Sequence, residues 1–216
     1  MNKLHTGENI VSILKSLPSS KSLSLVIPIG DPVIAYLRPI PTLNIRPDDD
    51  DINLLTLWRN KYVNSFLTIF VANNTQTYNW LRNYVHNNNG KVLFMIDDID
   101  RKTLGHVGLG FIDWKRKYGE ADAIVNGGDA PRGLMKKALL TMLLWAKNVL
   151  CLEILAVRVR SDNEAIHFYK KVGFIEKKRV LISPVIDGDE INWIETPEFE
   201  NKVDSVYLVH MIINLN

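Results

Sequence analysis

Glu120-Ala121-Asp122-Ala123-Ile124-Val125, followed by Asn126-Gly127-Gly128-Asp129-Ala130-Pro131-Arg132-Gly133-Leu134-Met135-Lys136-Lys137-Ala138, is the stretch on which the fold turns. A strand gives way to a glycine-containing turn, and a helix opens near Arg132-Gly133. The first amides of a helix have no intrahelical acceptor and sit at the positive end of its dipole, so the junction is suited to an anion. Gly133 permits close backbone approach there. Arg132, Lys136 and Lys137 put positive charge at an end where the dipole disfavours it, a conflict that an anionic ligand would offset. The same residues also read as an ordinary basic surface helix.

Working outward, hydrophobic periodicity predicts helices over 7–17, 52–62, 75–87, 134–148 and 163–172. In the first, Ile10, Ile13, Leu14 and Leu17 supply the apolar positions; in the fourth, Leu139, Leu140, Leu143, Leu144 and Ala146 do. Strands are expected over 23–29, 33–37, 91–97, 106–113, 120–125, 153–160 and 206–213, within a C-terminal tail that is β-rich from 177 to 216. The last of these strands is placed to close the sheet. The order gives an α/β (α+β) fold with a central mixed sheet flanked by helices. Pro39, Pro41 and Pro47, with Asp48 to Asp51, mark a boundary between an N-terminal elaboration of helix and hairpin over 1–47 and a main domain over 48–216.

Composition excludes several classes. The chain has 216 residues, 46% hydrophobic and 23% charged, with a net charge of +2, so it carries no general field for nucleic acid or an anionic membrane. Neither a secretory leader nor an apolar run of the roughly 18 residues a membrane helix needs is present, and a cytoplasmic protein is expected. Cys151 cannot form an internal disulfide and, within Val149-Leu150-Cys151-Leu152, reads as a buried small hydrophobe. The consecutive aspartates 48–51 read as a solvated loop and helix start, lacking the spacing of a ligand loop. The five histidines show no ligand spacing, and no metal is expected.

A second segment, Asn163-Glu164-Ala165-Ile166-His167-Phe168-Tyr169-Lys170-Lys171-Val172-Gly173-Phe174, reads as a helix capped by Asp162 or Asn163 and ended by Gly173. Ala165, Phe168, Tyr169 and Val172 share a face, which lets Tyr169 point from the core edge into a cleft, or simply pack as a core aromatic.

In this order and at this separation, the two segments resemble the GNAT acyltransferase superfamily over about residues 53–174. The first is similar to its pyrophosphate-binding loop. The second is similar to its N-x-x-A-I-x-x-Y-x-x-x-G-F signature, matched at Ala165, Ile166, Tyr169, Gly173 and Phe174; the asparagine position falls on Asp162, with Asn163 one place later. The loop pattern Gln/Arg-x-x-Gly-x-Gly/Ala lies on Ala130, Gly133 and Met135, or on Gly128, Pro131 and Gly133, and in either register two of the three positions depart from it.

The resemblance implies an N-acyltransferase in which an amine attacks acyl-coenzyme A directly, with acetyl or another short acyl group on the thioester. Coenzyme A would lie between the strands 120–125 and 153–160, its pyrophosphate on the backbone of Arg132, Gly133, Leu134, Met135, Lys136 and Lys137. Val125, Phe168 and Asn163 would also line it, Asn163 along the pantetheine arm. Tyr169 is the implied general acid. For the base, Glu120 resembles a glutamate the family carries on this strand, and alternation puts Asp122 on the same face. Two like charges in a partly buried cleft would raise one pKa, as a base needs; a water-mediated route and His106 are the alternatives.

Trp58-Arg59-Asn60, with Phe66, Thr75, Thr77 and Trp80, resembles GNAT enzymes that acylate nucleotide-linked amino sugars, and shares parts with ribosomal-protein N-terminal acetyltransferases. Arg59 and Asn60 are then acceptor-binding residues, Arg59 for a phosphate or carboxylate, and Trp80 stacks on a base. The acceptor expected is a nucleotide-linked amino sugar of surface-polysaccharide biosynthesis, ahead of a protein N-terminus or a non-catalytic acyl-CoA binder. Exposed edge strands make a homodimer an expectation by analogy.

Overall fold

A computed structural model describes residues 6–17, 25–196 and 205–215. Its elements in chain order are α1 (Thr6–Lys15), β1 (Ile27–Ile29), β2 (Ala35–Pro39), α2 (Asp50–Lys61), a short 3₁₀ turn (Val63–Ser65), β3 (Thr68–Ile69), α3 (Asn74–Asn79, continued as a π-helical segment, Trp80–Val85), β4 (Val92–Asp98), β5 (Thr103–Asp113), β6 (Tyr118–Asn126), α4 (Leu134–Asn148), β7 (Ile154–Arg160), α5 (Ala165–Val172), β8 (Ile175–Asp187), β9 (Glu190–Glu195) and β10 (Val206–Ile213).

All the strands join one mixed sheet in the order β1-β2-β4-β5-β6-β7-β10-β8-β9-β3. Only β6 and β7 run parallel, joined by the crossover helix α4. The last strand does not close the sheet at an edge but enters between β7 and β8. In the expected N-terminal elaboration β2 pairs with β4 and β1 with β2, so both strands share the main sheet and its core.

The central strand β4 reads Val92-Leu93-Phe94-Met95-Ile96 because both of its faces are covered. Val92, Phe94 and Ile96 pack with α1, α4 and α5, whereas Leu93 and Met95 pack with α2 and α3. The helix α4 has the bounds its periodicity predicts. Its buried face is Leu134, Ala138, Leu139, Met142, Leu143 and Ala146, while Leu144 turns outward. In α1 the stripe is Gly7, Val11, Leu14 and Lys15, with Ile13 exposed. Asn73 caps α3 reciprocally with Gln76, so the helix starts one residue before the predicted bound. Residues 18–20 and 23–24, read as a helix stop and the start of a strand, lie outside the described residues.

Two expectations are corrected. Cys151 is exposed, in a left-handed turn (φ +58°) that carries the chain from α4 into β7. Asp51 is not solvated. It accepts two hydrogen bonds from Arg38 (2.8 and 3.0 Å), whose Nε also donates to Asp97 at 2.5 Å. All three side chains are buried, and Asp97 Oδ1 accepts from Thr103 (2.9 Å) as well as from Arg38 (3.4 Å). A guanidinium fork between two carboxylates ties β2 to both α2 and β4. Removing the cation alone strands two buried charges. Arg38→Met is therefore expected to cost about 3–5 kcal/mol of unfolding free energy, measured by urea denaturation; a loss within the error of a surface substitution would show that the triad does not hold β2 in place.

Candidate active site

The site begins with a fault in the sheet. Pairing of β5 with β6 steps from His106 opposite Val125 to Gly108 opposite Asp122, so Ala123 and Ile124 together face Val107. This is a β-bulge, and Ala123 takes a left-handed φ of +49° to make it. Parallel pairing of β6 with β7 ends at Ala121 opposite Val157, although β6 runs on to Asn126 and β7 to Arg160. The two strands part, leaving backbone groups along a V-shaped opening.

Beyond the opening the chain turns into α4. Gly127 donates its amide to Leu104 O (2.9 Å), and a Cβ there would lie 2.6 Å from the Trp58 ring, so only glycine lets this loop close over α2. Gly133, the residue before α4, has φ +87°, and nothing lies within 4 Å of where its Cβ would be. The space beside Gly133 is therefore open, and the first-turn amides of α4 have no acceptor within the helix. Leu134 is buried beneath, and Met135 is part-buried against the same core. The cations divide. Lys136 Nζ donates to Lys171 O (2.6 Å), tying α4 to α5, while Arg132 and Lys137 line a hollow with Lys102 and Asp129. This loop is open and cationic.

From the far side of the opening, α5 brings in Tyr169. Asn163 caps the helix start, accepting from Ala165 N (2.9 Å), and its amide nitrogen donates to Ser65 O (3.1 Å). Gly173 ends the helix at φ +122°. Tyr169 is buried at 8% exposure, flanked edge-on by Phe168 and Phe174. Burial first, and the nearby charge of Asp122 second, push its phenol well above the usual tyrosine range. A phenol so placed keeps its proton until a strong base develops next to it.

Glu120 and Asp122 sit on the helix α2–α3 side of the sheet, but not as a bare like-charge pair. Glu120 binds Arg158 Nε (2.7 Å) and accepts from the Tyr118 hydroxyl (2.6 Å). Asp122 is ion-paired with Lys91 and accepts from the amide of Ala123 (2.8 Å). Each carboxylate thus faces a cation of its own. Neither Lys91, at the head of β4, nor Arg158, on β7, stood out in the sequence, because strand register and not spacing brings them here. His106 is buried, stacked on Trp58 with ring centres 5.8 Å apart, and its Nδ1 has no partner among the described residues. Val125 is buried on this same side, next to the α2 cluster.

The acceptor residues expected on α2 have other work. Arg59 donates to Thr68 O (2.5 Å) between the rings of Phe66 and Phe70, 4.2 and 4.4 Å from their centres. Asn60 uses both ends of its amide on the backbone of Ala72, each at 2.8 Å. These two residues shape the 62–72 segment. Trp80 stays part-buried beside Lys91, whose Nζ is 5.6 Å from the ring centre.

Burial lowers the His106 pKa to about 4. Because the folded state resists a proton that the unfolded chain accepts below about 6.5, His106 supports folding fully above that pH. The support is lost progressively as pH falls toward 4. Wild-type protein should show this acid limb in urea midpoints taken across pH 4 to 7, and His106→Gln should flatten it; an unchanged slope would place the cause elsewhere.

A family model described as an acetyltransferase (GNAT) domain matches residues 42–175, more than half of the chain. No curated protein matches. Among solved structures, a spermidine N-acetyltransferase from Vibrio cholerae in complex with CoA and spermine superposes with a TM-score of 0.61 at 16% identity, covering 82% of this chain and 95% of that one. A spermidine/spermine N-acetyltransferase from the same organism, solved with manganese ions, gives 0.58 at 17% identity over 83% and 92%. A dodecameric structure of the V. cholerae spermidine enzyme gives 0.57 at 16% over 82% and 92%. With the bulged strand, the parted sheet, the glycine-led helix and the Tyr169 signature in place, the chain belongs to the GNAT acetyltransferase family and is an N-acyltransferase that takes its acyl group from a coenzyme A thioester.

Proposed function

We propose that the chain transfers a short acyl group to the primary amine of a nucleotide-linked amino sugar. The observation that carries this reading is the charge balance of the cleft: Glu120 is matched by Arg158 and Asp122 by Lys91. The V. cholerae enzymes of similar fold are named for spermidine, a substrate with several positive charges. Such a substrate is held by carboxylates free of cation partners, and these two are not free. An acceptor that brings one amine and several oxygens or phosphates suits the balance better. Glu120 engages only the Nε of Arg158 among the described residues, which leaves its terminal nitrogens for an oxyanion in place of Arg59, and part-buried Trp80 offers the stacking face.

In this reading the acyl donor lies in the opening between β6 and β7, its pyrophosphate on the backbone of residues 132–137. The amine nitrogen attacks the thioester carbonyl carbon; the C–N bond forms as the C–S bond breaks. Backbone amides freed where the strands part face the developing oxyanion. Tyr169 gives its phenolic proton to the departing sulfur. The proton lost by the amine goes to water ordered beside Asp122 and Glu120, since each carboxylate already holds a cation.

Free-thiol release from acetyl-CoA, measured against nucleotide-linked amino sugars, N-terminal peptides and polyamines, tests the acceptor. Release with the amino sugars alone is expected; a preference for polyamines or peptides would overturn it. Silence with every amine, coenzyme A binding intact, would leave a binder without turnover. Tyr169→Phe should lower kcat about 10²-fold with acetyl-CoA affinity within twofold of wild type. An unchanged rate would remove Tyr169 from the acid role.

A further inference from the structure

The family match ends at residue 175, yet the chain continues into the β8–β9 hairpin, and that hairpin returns to the acceptor side. The strand β9 pairs with β3, with Ile191 opposite Ile69 and Asn192 opposite Thr68, and Trp193 N donates to Leu67 O at 2.8 Å. Between this hairpin and the site lies Arg160, near the end of β7. Its Nε and one terminal nitrogen grip Asp162 (3.0 and 2.6 Å), and its other terminal nitrogen donates to Asn64 O (3.2 Å) and Phe66 O (3.4 Å). The Trp193 ring covers the guanidinium, 4.2 Å from its centre. Asn163 takes the intervening carbonyl, Ser65 O (3.1 Å).

We propose that Arg160 is a positioning residue that fixes the acceptor wall, residues 62–70 with the β9 strand, relative to the helix that carries Tyr169. One planar cation with its donors in a fixed fork reaches three pieces of chain at once, alongside the Asn163–Ser65 bond and the β3–β9 pairing. Asp162 and Asn163 lead directly into α5, so the distance from Tyr169 to the wall is set by this side chain. The consecutive carbonyls of residues 64–66 all point to donors on the Tyr169 side, which leaves the wall little freedom to rock. A wall 1 Å out of place misplaces the amine and not the thioester, since the donor is held by α4 and the open strands. Arg160 therefore acts on acceptor binding more than on the chemistry.

The proposal rests on the amine-acylation reading above, and the test separates the two. Steady-state rates are taken with acetyl-CoA and, separately, UDP-glucosamine, spermine and a short N-terminal peptide. For whichever amine the wild type acylates, Arg160→Met should raise the amine KM at least tenfold, with kcat and the acetyl-CoA KM within threefold; Arg160→Lys should recover part of the loss. A fall in kcat with no change in the amine KM, or no change at all, would overturn it. If the wild type acylates none of them, the acceptor reading fails and hydrogen exchange decides the clamp. Arg160→Met should then speed exchange at amides 63–69 and 191–193 at least tenfold, with α4 amides and acetyl-CoA affinity unchanged. Uniform acceleration, or none, would sink it. Should Arg160→Met not fold, Trp193→Leu, which uncovers only one face of the guanidinium, should give the same pattern at smaller size, and its absence would be equally decisive.

Discussion

Everything at this site depends on two strands that stop hydrogen bonding to each other. A parallel pair inside a sheet normally satisfies its backbone groups along its whole length. Here the bulge at Ala123 and Ile124 turns β6 away from β7 after Ala121, and the groups beyond need another partner. A water-filled cleft or an extended acyl donor supplies one, whereas a packed side chain would not. The bulge also re-aims the strand, so that Asp122 and the amides after it face the opening while Val125 returns to the core. The helix α4 then starts where the sheet has opened, and the conformation of Gly133 leaves its first amides clear.

Around that opening the protein surrounds charge with charge. Arg38 holds Asp51 and Asp97, Lys91 holds Asp122, Arg158 holds Glu120, and Arg160 holds Asp162. Such pairs, buried at Arg38 and partly exposed at Asp122 and Asp162, add little net stability over apolar replacements, but each fixes which element faces which. The Arg38 triad seats α2 and the N-terminal strands against β4. The pairs that hold Glu120 and Asp122 set the polarity of β6 on the α2–α3 side. Lys15 adds a further tie, donating to the carbonyls of Val85, His86 and Asn88 at the end of the α3 segment. Thus α1 is bound to the helix that carries Trp80, although the two are distant in sequence.

Sequence alone determined where the parts of this machine lie: the bounds of α4, the capped helix ended by Gly173, Tyr169 on its inward face, and glycine at the mouth of the anion loop. These are local matters of periodicity, capping and backbone freedom, each decided within a few residues, and the glycine is that of the turn before α4, with positive φ. Tertiary structure decided what the polar residues do. Arg59 and Asn60 read as acceptor ligands because of the motif around them, but the fold turns them onto Thr68 and Ala72. Glu120 and Asp122 read as neighbouring carboxylates because of strand alternation, but their cations arrive from β4 and β7. Arg158 and Arg160 carried no signal, since arginine on a strand says nothing about which loop will cross above it. Cys151 went the same way: its apolar neighbours face inward, and the turn between α4 and β7 puts the thiol outside. Periodicity is written in one segment, but a partner is chosen by register between segments far apart, and that register exists only once the sheet has formed.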